Sequence, residues 1–401
     1  MHSRPVIRLV ACGSVDHGKS TLIGRLLVET DSVPHDTVAA ARSVRRAGSL
    51  IPPGEIDYSL LTDGLEAERE QGITIDVAYR SMSLLDGRRL LIADAPGHEQ
   101  YTRNMAVAAS RADIAVMLVD ATHPLRPQTF RHLTILKLMG VDQIIVALNK
   151  LDALNFDQAA FESVCRDTRP AVERLGIDRI SYIPISALVG DNVTAKSDRT
   201  PWHTGPTLLE AIQGWHPLQS GSSRARMGVQ IILRAENFRG LAGTVSDGSF
   251  AVGDEVVILP GLNRARIARL TAFDGEIAHA HAGKAVAMVL EPDVDATRGD
   301  VVERVDGCTT PADRFAAHVV WLSESELIHS RSYYLLNGST MVPATVTAIR
   351  HRLNIRNGDH ESARTLKINE IGVIEVATDA RVALAPYGEN RNSGNFILVD
   401  R

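Results

Sequence analysis

The feature of this sequence that most restricts the fold is a short glycine-containing stretch, residues 13–20, which reads Gly-Ser-Val-Asp-His-Gly-Lys-Ser. An apolar run at residues 6–11 precedes it, and a helix-like pattern at residues 19–27 follows it. A glycine loop between a strand and a helix presents backbone N–H groups and a helix N-terminus, and both attract phosphate oxygens. Although a plain glycine-rich turn would share this composition, the context predicts a P-loop beside a parallel, helix-flanked sheet.

Three later polar stretches follow predicted strands in the order that a guanine-nucleotide site requires. They are residues 94–98 (Asp-Ala-Pro-Gly-His), 149–152 (Asn-Lys-Leu-Asp) and 186–188 (Ser-Ala-Leu). Each has an ordinary explanation by itself, because Asn-Lys-x-Asp can be a helix cap and a histidine after a Pro-Gly turn is often a surface residue. Their order and their positions at strand ends instead predict a site for GTP and Mg²⁺, and indicate that GTP is hydrolysed.

The predicted phosphate and metal contacts centre on the P-loop. Lys19 would bridge the β- and γ-phosphates, and Gly97 would offer a backbone N–H to the γ-phosphate. The Ser20 hydroxyl and, through water, the Asp94 carboxylate would hold Mg²⁺, while His98 would orient the attacking water as the catalytic residue. The complete predicted phosphate-binding set is Gly13, Ser14, Val15, Asp16, His17, Gly18, Lys19, Ser20, Thr21 and Gly97.

The predicted guanine contacts come from the two later stretches. The Asp152 carboxylate can accept from N1–H and N2–H₂ of guanine, which adenine does not present in that arrangement. Asn149 would bond the acceptor edge of the base, the Lys150 stem would cover the ring, and the Ala187 N–H would meet O6. Ser186 and Leu188 complete the predicted guanine-binding set.

Strand-like runs alternate with helical patterns up to about residue 215, which indicates βαβ units. The strands are predicted at residues 89–94, 114–120, 143–149 and 181–184, and the helices at residues 100–112, 128–139, 157–175 and 207–213. A polar connection at residues 31–72 is too long for an ordinary loop and is a candidate functional segment. Beyond a polar linker at residues 216–226, short strands separated by turns are typical of β-barrels. The predicted fold class is an α/β P-loop GTPase domain (residues 1–216) followed by two all-β barrel domains (residues 227–306 and 313–401).

Charge and composition argue against several classes of partner. The net charge of −5 disfavours a large nucleic-acid footprint, so no nucleic acid is expected to bind. Apolar runs are strand-sized and the N-terminal sequence has no apolar leader, so no membrane contact is expected and a cytoplasmic location is predicted. The cysteines, Cys12, Cys165 and Cys308, are widely spaced and are expected to be reduced thiols.

Two other groups of residues suggest sites less strongly. His279 and His281 could share one face of a strand, but no third ligand accompanies them, so a surface or structural pair is expected. Arg350, Arg352 and Arg356 form a basic cluster, for which a solvated strand face is expected over a nucleic-acid patch. A protein interface at this cluster stays open.

The Pro-Gly-His turn at residues 96–98 is typical of the translation-factor class of GTPases, of which elongation factor Tu is the type. Within that class the chain resembles the large, GTP-hydrolysing subunit of bacterial sulfate adenylyltransferase. The resemblance covers nearly the whole chain, and its most specific stretches are residues 62–80, 96–105, 186–192, 201–209, 238–244 and 296–300.

This resemblance implies a function as part of a two-subunit enzyme. A separate, small catalytic adenylyltransferase subunit would join sulfate to the adenylyl group of ATP, and GTP hydrolysis on this chain would be coupled to that uphill step. The family pattern also makes Thr74 a second protein ligand of Mg²⁺ when GTP is bound. Residues 31–74 and the turn at Gly97 and His98 are the expected moving parts.

The sequence departs from the family pattern at a few positions. His17 stands where the family usually has an acidic residue, and Ala95 replaces a usual threonine. The family comparison also leads us to expect neither a fused adenylylsulfate kinase domain nor the usual short tail after residue 401. Three other functions remain compatible with the sequence: a translation GTPase that delivers aminoacyl-tRNA, a regulatory GTP-binding subunit with negligible turnover, and a paralogue that serves a specialised sulfur pathway.

Overall fold

A computed structural model describes residues 6–43, 55–62, 74, 76–123, 125–141, 143–216, 224–235, 238–355 and 358–400. Contacts between residues divide the chain into two compact units. The first unit is Met1–Leu218 with Leu353–His360, and the second is Gln219–Arg352 with Glu361–Arg401.

The first unit contains a six-stranded sheet in the order β2-β3-β1-β4-β5-β6. Strand β1 pairs in parallel with β3 and β4, β5 pairs in parallel with β4 and β6, and β2 runs antiparallel to β3. The strands are β1 Val6–Gly13, β2 Ala78–Ser83, β3 Arg89–Asp94, β4 Ile114–Asp120, β5 Gln143–Asn149 and β6 Ile180–Pro184.

Helices flank this sheet. They are α1 Lys19–Glu29, α2 His35–Ser43, α3 Thr102–Ser110, α4 Pro127–Leu138, α5 Gln158–Leu175 and α6 Leu208–Gln213. Short 3₁₀ turns lie at Tyr58–Leu61, Glu99–Tyr101 and Leu151–Leu154. Helix α5 begins at an N-cap, Asp157, and ends at Gly176, whose φ of 61° permits the left-handed C-cap.

Local sequence explains why the central strands form and where they end. Strand β4 is a continuous apolar run that is buried on both faces, as a strand inside a helix-covered parallel sheet must be. In the sheet, Ala11 of β1 lies beside Val116 of β4 on one side and beside Asp94 of β3 on the other. Because parallel strands end at the same edge, the polar residues that follow them meet there.

The predicted strands and helices of this unit are confirmed, with ends that shift by one or two residues; only the start of α3 is now a separate 3₁₀ turn. Strand β2 and helix α2 were not predicted. Helix α2 and the turn Tyr58–Leu61 lie inside the long polar connection, and residues 44–54 and 63–73 of that region, with most of the family-specific stretch 62–80 before strand β2, lie outside the described residues.

The second unit begins with strands β7 Arg226–Gly228, β8 Ile231–Ala235, β9 Phe238–Asp247, β10 Ser249–Ala251, β11 Glu255–Leu259, β12 Asn263–Ala272, β13 Gly275–Ile277, β14 His279–His281, β15 Ala285–Glu291 and β16 Val301–Arg304. Strands β11, β16, β7, β9, β15 and β12 pair in turn, and β12 pairs again with β11. The pairing therefore closes a six-stranded barrel, and its interior is filled by apolar side chains such as Phe250 and Met288.

The remaining strands are β17 Ala312–Val320, β18 Leu327–Ile328, β19 Ser332–Asn337, β20 Thr340–Leu353, β21 His360–Glu361, β22 Thr365–Leu366, β23 Ile371–Val382 and β24 Ile397–Asp400, with a short helix α7 at Arg391–Gly394. Their main sheet has the order β17-β23-β20-β19-β24. An α/β P-loop domain followed by β-barrel structure confirms the predicted fold class. The domain boundaries at 1–216, 227–306 and 313–401 stay a prediction.

Two minor predictions can be compared with the structure. His279 and His281 are both exposed, and the described residues contain no cluster of three or more metal-ligating side chains. Arg350 pairs with Glu375, and Arg352 pairs with Glu361 and Glu370, so these two charges are neutralised locally; Arg356 lies outside the described residues.

The cysteines are free thiols, and burial raises the pKa of Cys12 to about 12. Within the described ranges, no helix combines the length and apolar character that a bilayer span requires.

Candidate nucleotide site

The loop between β1 and α1 depends on two glycines. Gly13 has a φ of 146°, and a Cβ there would lie 2.6 Å from the carbonyl oxygen of Leu118. Gly18 caps α1 with a φ of 87°, and a Cβ there would collide with the side-chain amide of Asn149. Because neither position accepts a side chain, the loop can close tightly around an anion at the start of the helix.

Lys19 is the buried cation of this loop. Its Nζ donates to the carbonyl oxygens of Gly13 at 3.1 Å and Ser14 at 3.0 Å. Burial lowers the pKa of Lys19, while the nearby Asp94 carboxylate works in the opposite direction. The Ser14 hydroxyl is also buried, and it has no hydrogen-bond partner among the described residues. A buried ammonium beside an unpaired hydroxyl matches the charge and hydrogen-bonding needs of a phosphate.

Ser20 and Asp94 bring together, next to Lys19, two side-chain oxygens that can ligate a metal ion. The Ser20 Oγ donates to Asp94 Oδ2 at 3.2 Å, and Asp94 is only 2% exposed. A hydroxyl and a carboxylate at the mouth of a phosphate loop fit a hard cation such as Mg²⁺, which usually takes few protein oxygens and several others from water and phosphate. Thr74 is half-buried, and no hydrogen bond of its side chain is found within the described part of the chain.

The Pro-Gly-His turn lies directly over the P-loop. A Cβ on Gly97 would lie 2.5 Å from the Gly13 carbonyl oxygen and 2.7 Å from Lys19 Nζ, so only glycine allows this approach. His98 follows with an exposed ring whose Nδ1 accepts the N–H of Gln100 at 3.3 Å. In the neutral ring the proton is therefore on Nε2, the nitrogen that remains for a water molecule.

Asn149 connects the predicted base-reading stretch to the predicted phosphate loop. Its Nδ2 donates to the carbonyl oxygen of His17 at 2.9 Å, and its Oδ1 accepts the N–H of Ala187 at 2.8 Å. The second hydrogen on Nδ2 is left for the base. The Ala187 N–H already donates to Asn149 Oδ1, so it could reach a guanine O6 only as a donor shared between the two acceptors. Three of the four predicted stretches therefore meet at this one side chain.

The other predicted guanine contacts are arranged around Asn149. Lys150 has a left-handed backbone, and its Nζ forms an ion pair with Asp120 Oδ2 at 2.8 Å. Asp120 ends β4 directly beside Asn149. The Asp152 carboxylate is half-buried and has no hydrogen-bond partner among the residues that the structure describes.

His17 does not direct its ring toward the phosphate side. The ring is buried, its Nδ1 lies 2.9 Å from the Leu118 carbonyl oxygen, and burial lowers its pKa. Its contribution to the predicted phosphate set is therefore its backbone. Val15 and Thr21 are half-buried, and Asp16 is exposed with a φ of 65°.

Four residues that the sequence patterns did not indicate also support the site: Arg25, Tyr58, Asp120 and Arg131. Arg25 lies on α1 and donates to the backbone of the Ser-Ala-Leu turn, while its guanidinium covers the Tyr58 ring at 4.3 Å. Arg131 forms an ion pair with Glu99, the residue after His98, at 2.7 Å. One sequence signal was present: Arg25 interrupts an otherwise apolar helix face, where a charge needs a partner.

Comparison with known proteins identifies the class of this site. Residues 4–218 match the family model for the elongation factor Tu GTP-binding domain, and residues 314–401 match the model described as GTP-eEF1A C-terminal domain-like. The chain also has the fold of the Ski7 GTPase-like domain of S. cerevisiae, with a TM-score of 0.53 and 15% identity over 99% of this chain and 95% of that one. At this identity the likeness concerns the fold alone.

Relatives with higher identity span the whole chain. The bifunctional enzyme NodQ of Azospirillum brasilense is 46% identical over 99% of this chain and 64% of its own length. Sulfate adenylyltransferase subunit 1 of Laribacter hongkongensis is 42% identical over 100% of this chain and 83% of its own length. The chain spans 62–64% of the length of the curated bifunctional relatives that it matches.

Proposed function

This chain belongs to the sulfate adenylyltransferase subunit 1 family of elongation factor Tu-type GTPases, and on that premise we propose that it binds and hydrolyses GTP to drive sulfate activation. The observation that carries the proposal is the convergence at one sheet edge of Lys19, the Ser20–Asp94 pair and the Gly97 turn. This edge can hold the phosphates and a hard cation, and the Gly97 backbone N–H lies where it can bind the γ-phosphate.

Each residue of this edge has a defined role in GTP hydrolysis. Lys19 neutralises charge on the β- and γ-phosphates, and the Gly97 N–H binds the γ-phosphate. Ser20 and Asp94, with Thr74 from the preceding segment, are the proposed ligands of Mg²⁺, which supplies charge stabilisation when bound. His98 orients a water oxygen toward the γ-phosphorus; the new P–O bond forms as the bond to GDP breaks, and the products are GDP and phosphate.

Guanine selection belongs to the opposite side of the same edge. We assign the N1–H and N2–H₂ groups of guanine to the Asp152 carboxylate, whose oxygens have no other partner among the described residues. Asn149 reaches the base with its remaining amide hydrogen, and the Lys150 stem covers the ring. The turn at Ser186, Ala187 and Leu188 is proposed to offer O6 a backbone donor, the Ala187 N–H that also donates to Asn149 Oδ1.

The hydrolysis is proposed to act on a second protein, a small catalytic adenylyltransferase subunit. On that subunit a sulfate oxygen attacks the α-phosphorus of ATP, pyrophosphate leaves, and adenosine 5′-phosphosulfate forms. This mixed anhydride lies uphill of ATP, so its formation needs a coupled downhill reaction. Support comes from the subunit 1 relatives, which this chain matches along its whole length. The reaction consumes ATP and GTP, so the proposal includes a cytoplasmic location.

Other functions of the same fold are less well supported. A translation GTPase must bind a large polyanion, yet the chain has a net charge of −5, and two of the three basic-cluster arginines form ion pairs with glutamates. A paralogue that serves a specialised sulfur pathway would use the same chemistry, and it is distinguished only by where its activated sulfate goes.

The direct experiment measures GTP hydrolysis by the purified chain, alone and with the small catalytic subunit, ATP and sulfate. We expect turnover to rise when all three are present and to require Mg²⁺. Lys19→Ala serves as the control and should neither bind nor hydrolyse GTP. GTP-dependent binding of aminoacyl-tRNA, or the absence of GTP binding by the wild-type chain, would overturn the proposal.

A further inference from the structure

Arg25 forms a junction between helix α1 and the Ser-Ala-Leu turn. Its Nε donates to the Ala187 carbonyl oxygen at 2.6 Å, and its Nη2 donates to the carbonyl oxygen of Leu188. These contacts join residues that are 162 positions apart in sequence. Arg25 is only 7% exposed, so its charge depends on partners inside the protein.

The remaining groups of the turn are also held in place. The Ser186 Oγ accepts the N–H of Val189 at 3.1 Å, and the Ser186 carbonyl oxygen accepts the N–H of Gly190 at 2.8 Å. The Ala187 N–H is fixed by Asn149 on the nucleotide side. Arg25 therefore holds the carbonyl oxygens of Ala187 and Leu188, while Asn149 holds the Ala187 N–H.

The surroundings of Arg25 restrict its guanidinium to this position. Tyr58 covers one face at 4.3 Å, and Glu29 accepts from Nη1 at 2.6 Å. Gly190 has a φ of 109°, and a Cβ there would lie 2.8 Å from Arg25 Nη1. Gly24 also approaches the Tyr58 carbonyl so closely that a side chain could not fit. A planar donor fork held between a ring and a carboxylate loses little further freedom when it binds two carbonyls.

We propose that Arg25 is a positioning residue that sets guanine selectivity by fixing the turn whose backbone donors read O6. This inference rests on the proposed GTP-binding function and extends it to a residue that does not touch the nucleotide. Without Arg25, the Ala187 and Leu188 carbonyls lose their donors and the turn can rotate its N–H groups away from the base. Removal of Arg25 should therefore lower the affinity for nucleotides whose base carries O6 and leave the affinity for nucleotides without O6 nearly unchanged.

A suitable probe is the 5′-triphosphate of 2-aminopurine riboside, which keeps the N2 amino group but lacks both O6 and the N1–H. Because Asp152 is unchanged in every variant, the loss of the N1–H contact is common to all of them, and the change in affinity relative to wild type reports on O6. For Arg25→Ala we expect affinity for GTP to fall about tenfold, the size of one well-formed hydrogen bond to a ligand. Affinity for the 2-aminopurine nucleotide should change by less than about twofold, well within one such bond. Arg25→Lys, which keeps the charge but not the planar fork, should give an intermediate selectivity ratio.

Arg88 offers a matched control in the same unit. It also donates to two backbone carbonyls, those of Trp215 at 2.7 Å and Gln213, and it pairs with Asp86. Arg88→Ala should lower thermal stability by an amount similar to that of Arg25→Ala, yet leave the ratio of GTP to 2-aminopurine nucleotide affinity unchanged. If Arg25 only stabilised the domain, Arg25→Ala would leave this affinity ratio unchanged, as we expect for Arg88→Ala.

The outcomes separate this inference from the function on which it rests. If wild-type protein binds GTP and both Arg25 variants keep its selectivity ratio, the positioning role is wrong while GTP binding stands. If wild-type protein does not bind GTP, the proposed function itself fails. Should Arg25→Ala not fold, the ratio measured for Arg25→Lys decides the question in the same way.

Discussion

The side-chain amide of Asn149 donates to the backbone carbonyl oxygen of His17 at 2.9 Å, and so links the base-reading stretch to the phosphate loop across 132 positions of sequence. The same side chain accepts the N–H of Ala187. The proposed guanine-binding and phosphate-binding stretches therefore share one buried amide. A change in one half of the site should be felt in the other.

Replacing Asn149 by alanine tests this link. We expect the free energy of unfolding to fall by about 1–3 kcal/mol, because the buried His17 carbonyl and Ala187 N–H both lose a partner. Affinity for GDP and for inosine diphosphate should fall together, since the phosphate loop is disturbed as well as the base contact. Equilibrium binding of both nucleotides and urea unfolding measure the two effects.

Asn192 supplies the matched control for that experiment. It is also a buried asparagine, and its Nδ2 donates to the Pro184 carbonyl oxygen and to Thr200 at 2.8 Å each. Asn192→Ala should destabilise the protein to a similar or greater degree and leave nucleotide affinity at the wild-type value. A loss of affinity equal to that of Asn149→Ala would mean that stability alone explains both results.

Changing Asp152 to asparagine should alter which base is bound. The carboxylate accepts two donors of guanine, whereas an amide can accept one and donate to the second carbonyl that xanthine carries. We expect GDP affinity to fall at least tenfold and xanthosine diphosphate affinity to rise, as measured by competition against a fluorescent nucleotide. Unchanged preference for guanine in this variant would remove Asp152 from the base site.

Replacing His98 by alanine should separate binding from hydrolysis. The ring is exposed, and we propose that it contacts the nucleotide only through water, so affinity for GTP should stay within about twofold of wild type. Single-turnover hydrolysis should slow by about 10²-fold or more, the usual contribution of a group that acts on the attacking water. His281→Ala, at an exposed position of the second unit, is the control and should hydrolyse GTP normally. Equal rates in the two variants would contradict a catalytic role.

The Asp120–Lys150 pair predicts a dependence of stability on pH. Burial acts to raise the pKa of Asp120, but hydrogen bonds from Lys150 and Thr122 outweigh it, so its pKa lies below the ordinary value. A depressed folded-state pKa adds stability at pH values above the unfolded pKa of about 3.9, and that stability is lost as the pH falls toward the folded value.

The Asp120→Asn variant measures this contribution. It should be less stable than wild type at pH 7, and the gap should narrow as the pH is lowered below about 4. Urea unfolding of both proteins from pH 7 to well below about pH 4 gives the comparison. A gap that stays constant with pH would show that the carboxylate charge of Asp120 does not stabilise the fold.

Much of the first unit could be predicted because its signals are local. The apolar run of β4 and the glycine loop before α1 each specify their own structure, and strand ends then place Asp94 and Asn149 at one edge. Strand β2 was not predicted, since its sequence Ala-Tyr-Arg-Ser-Met-Ser is only weakly apolar and it gains its structure by pairing with β3.

The contacts that tune the site could not be predicted from local pattern. Arg25 finds its partners 162 positions away, and the Lys150 ammonium pairs with Asp120 on the neighbouring strand rather than projecting only over the base. The ring of His17, the residue at which the loop departs from the family pattern, is buried against the Leu118 carbonyl oxygen of β4. Such partners are set by the assembled fold, because the sequence specifies which charges are buried but not what lies opposite them.

Coupling of GTP hydrolysis to sulfate activation can be measured as the yield of adenosine 5′-phosphosulfate that the small catalytic subunit forms from ATP and sulfate in the presence of this chain. We predict that GTP raises the yield above the value reached with ATP alone, and that a GTP analogue resistant to hydrolysis, or the His98→Ala variant with GTP, does not. A yield that is the same with GTP, with the analogue and without nucleotide would contradict the proposal that this chain couples GTP hydrolysis to sulfate activation.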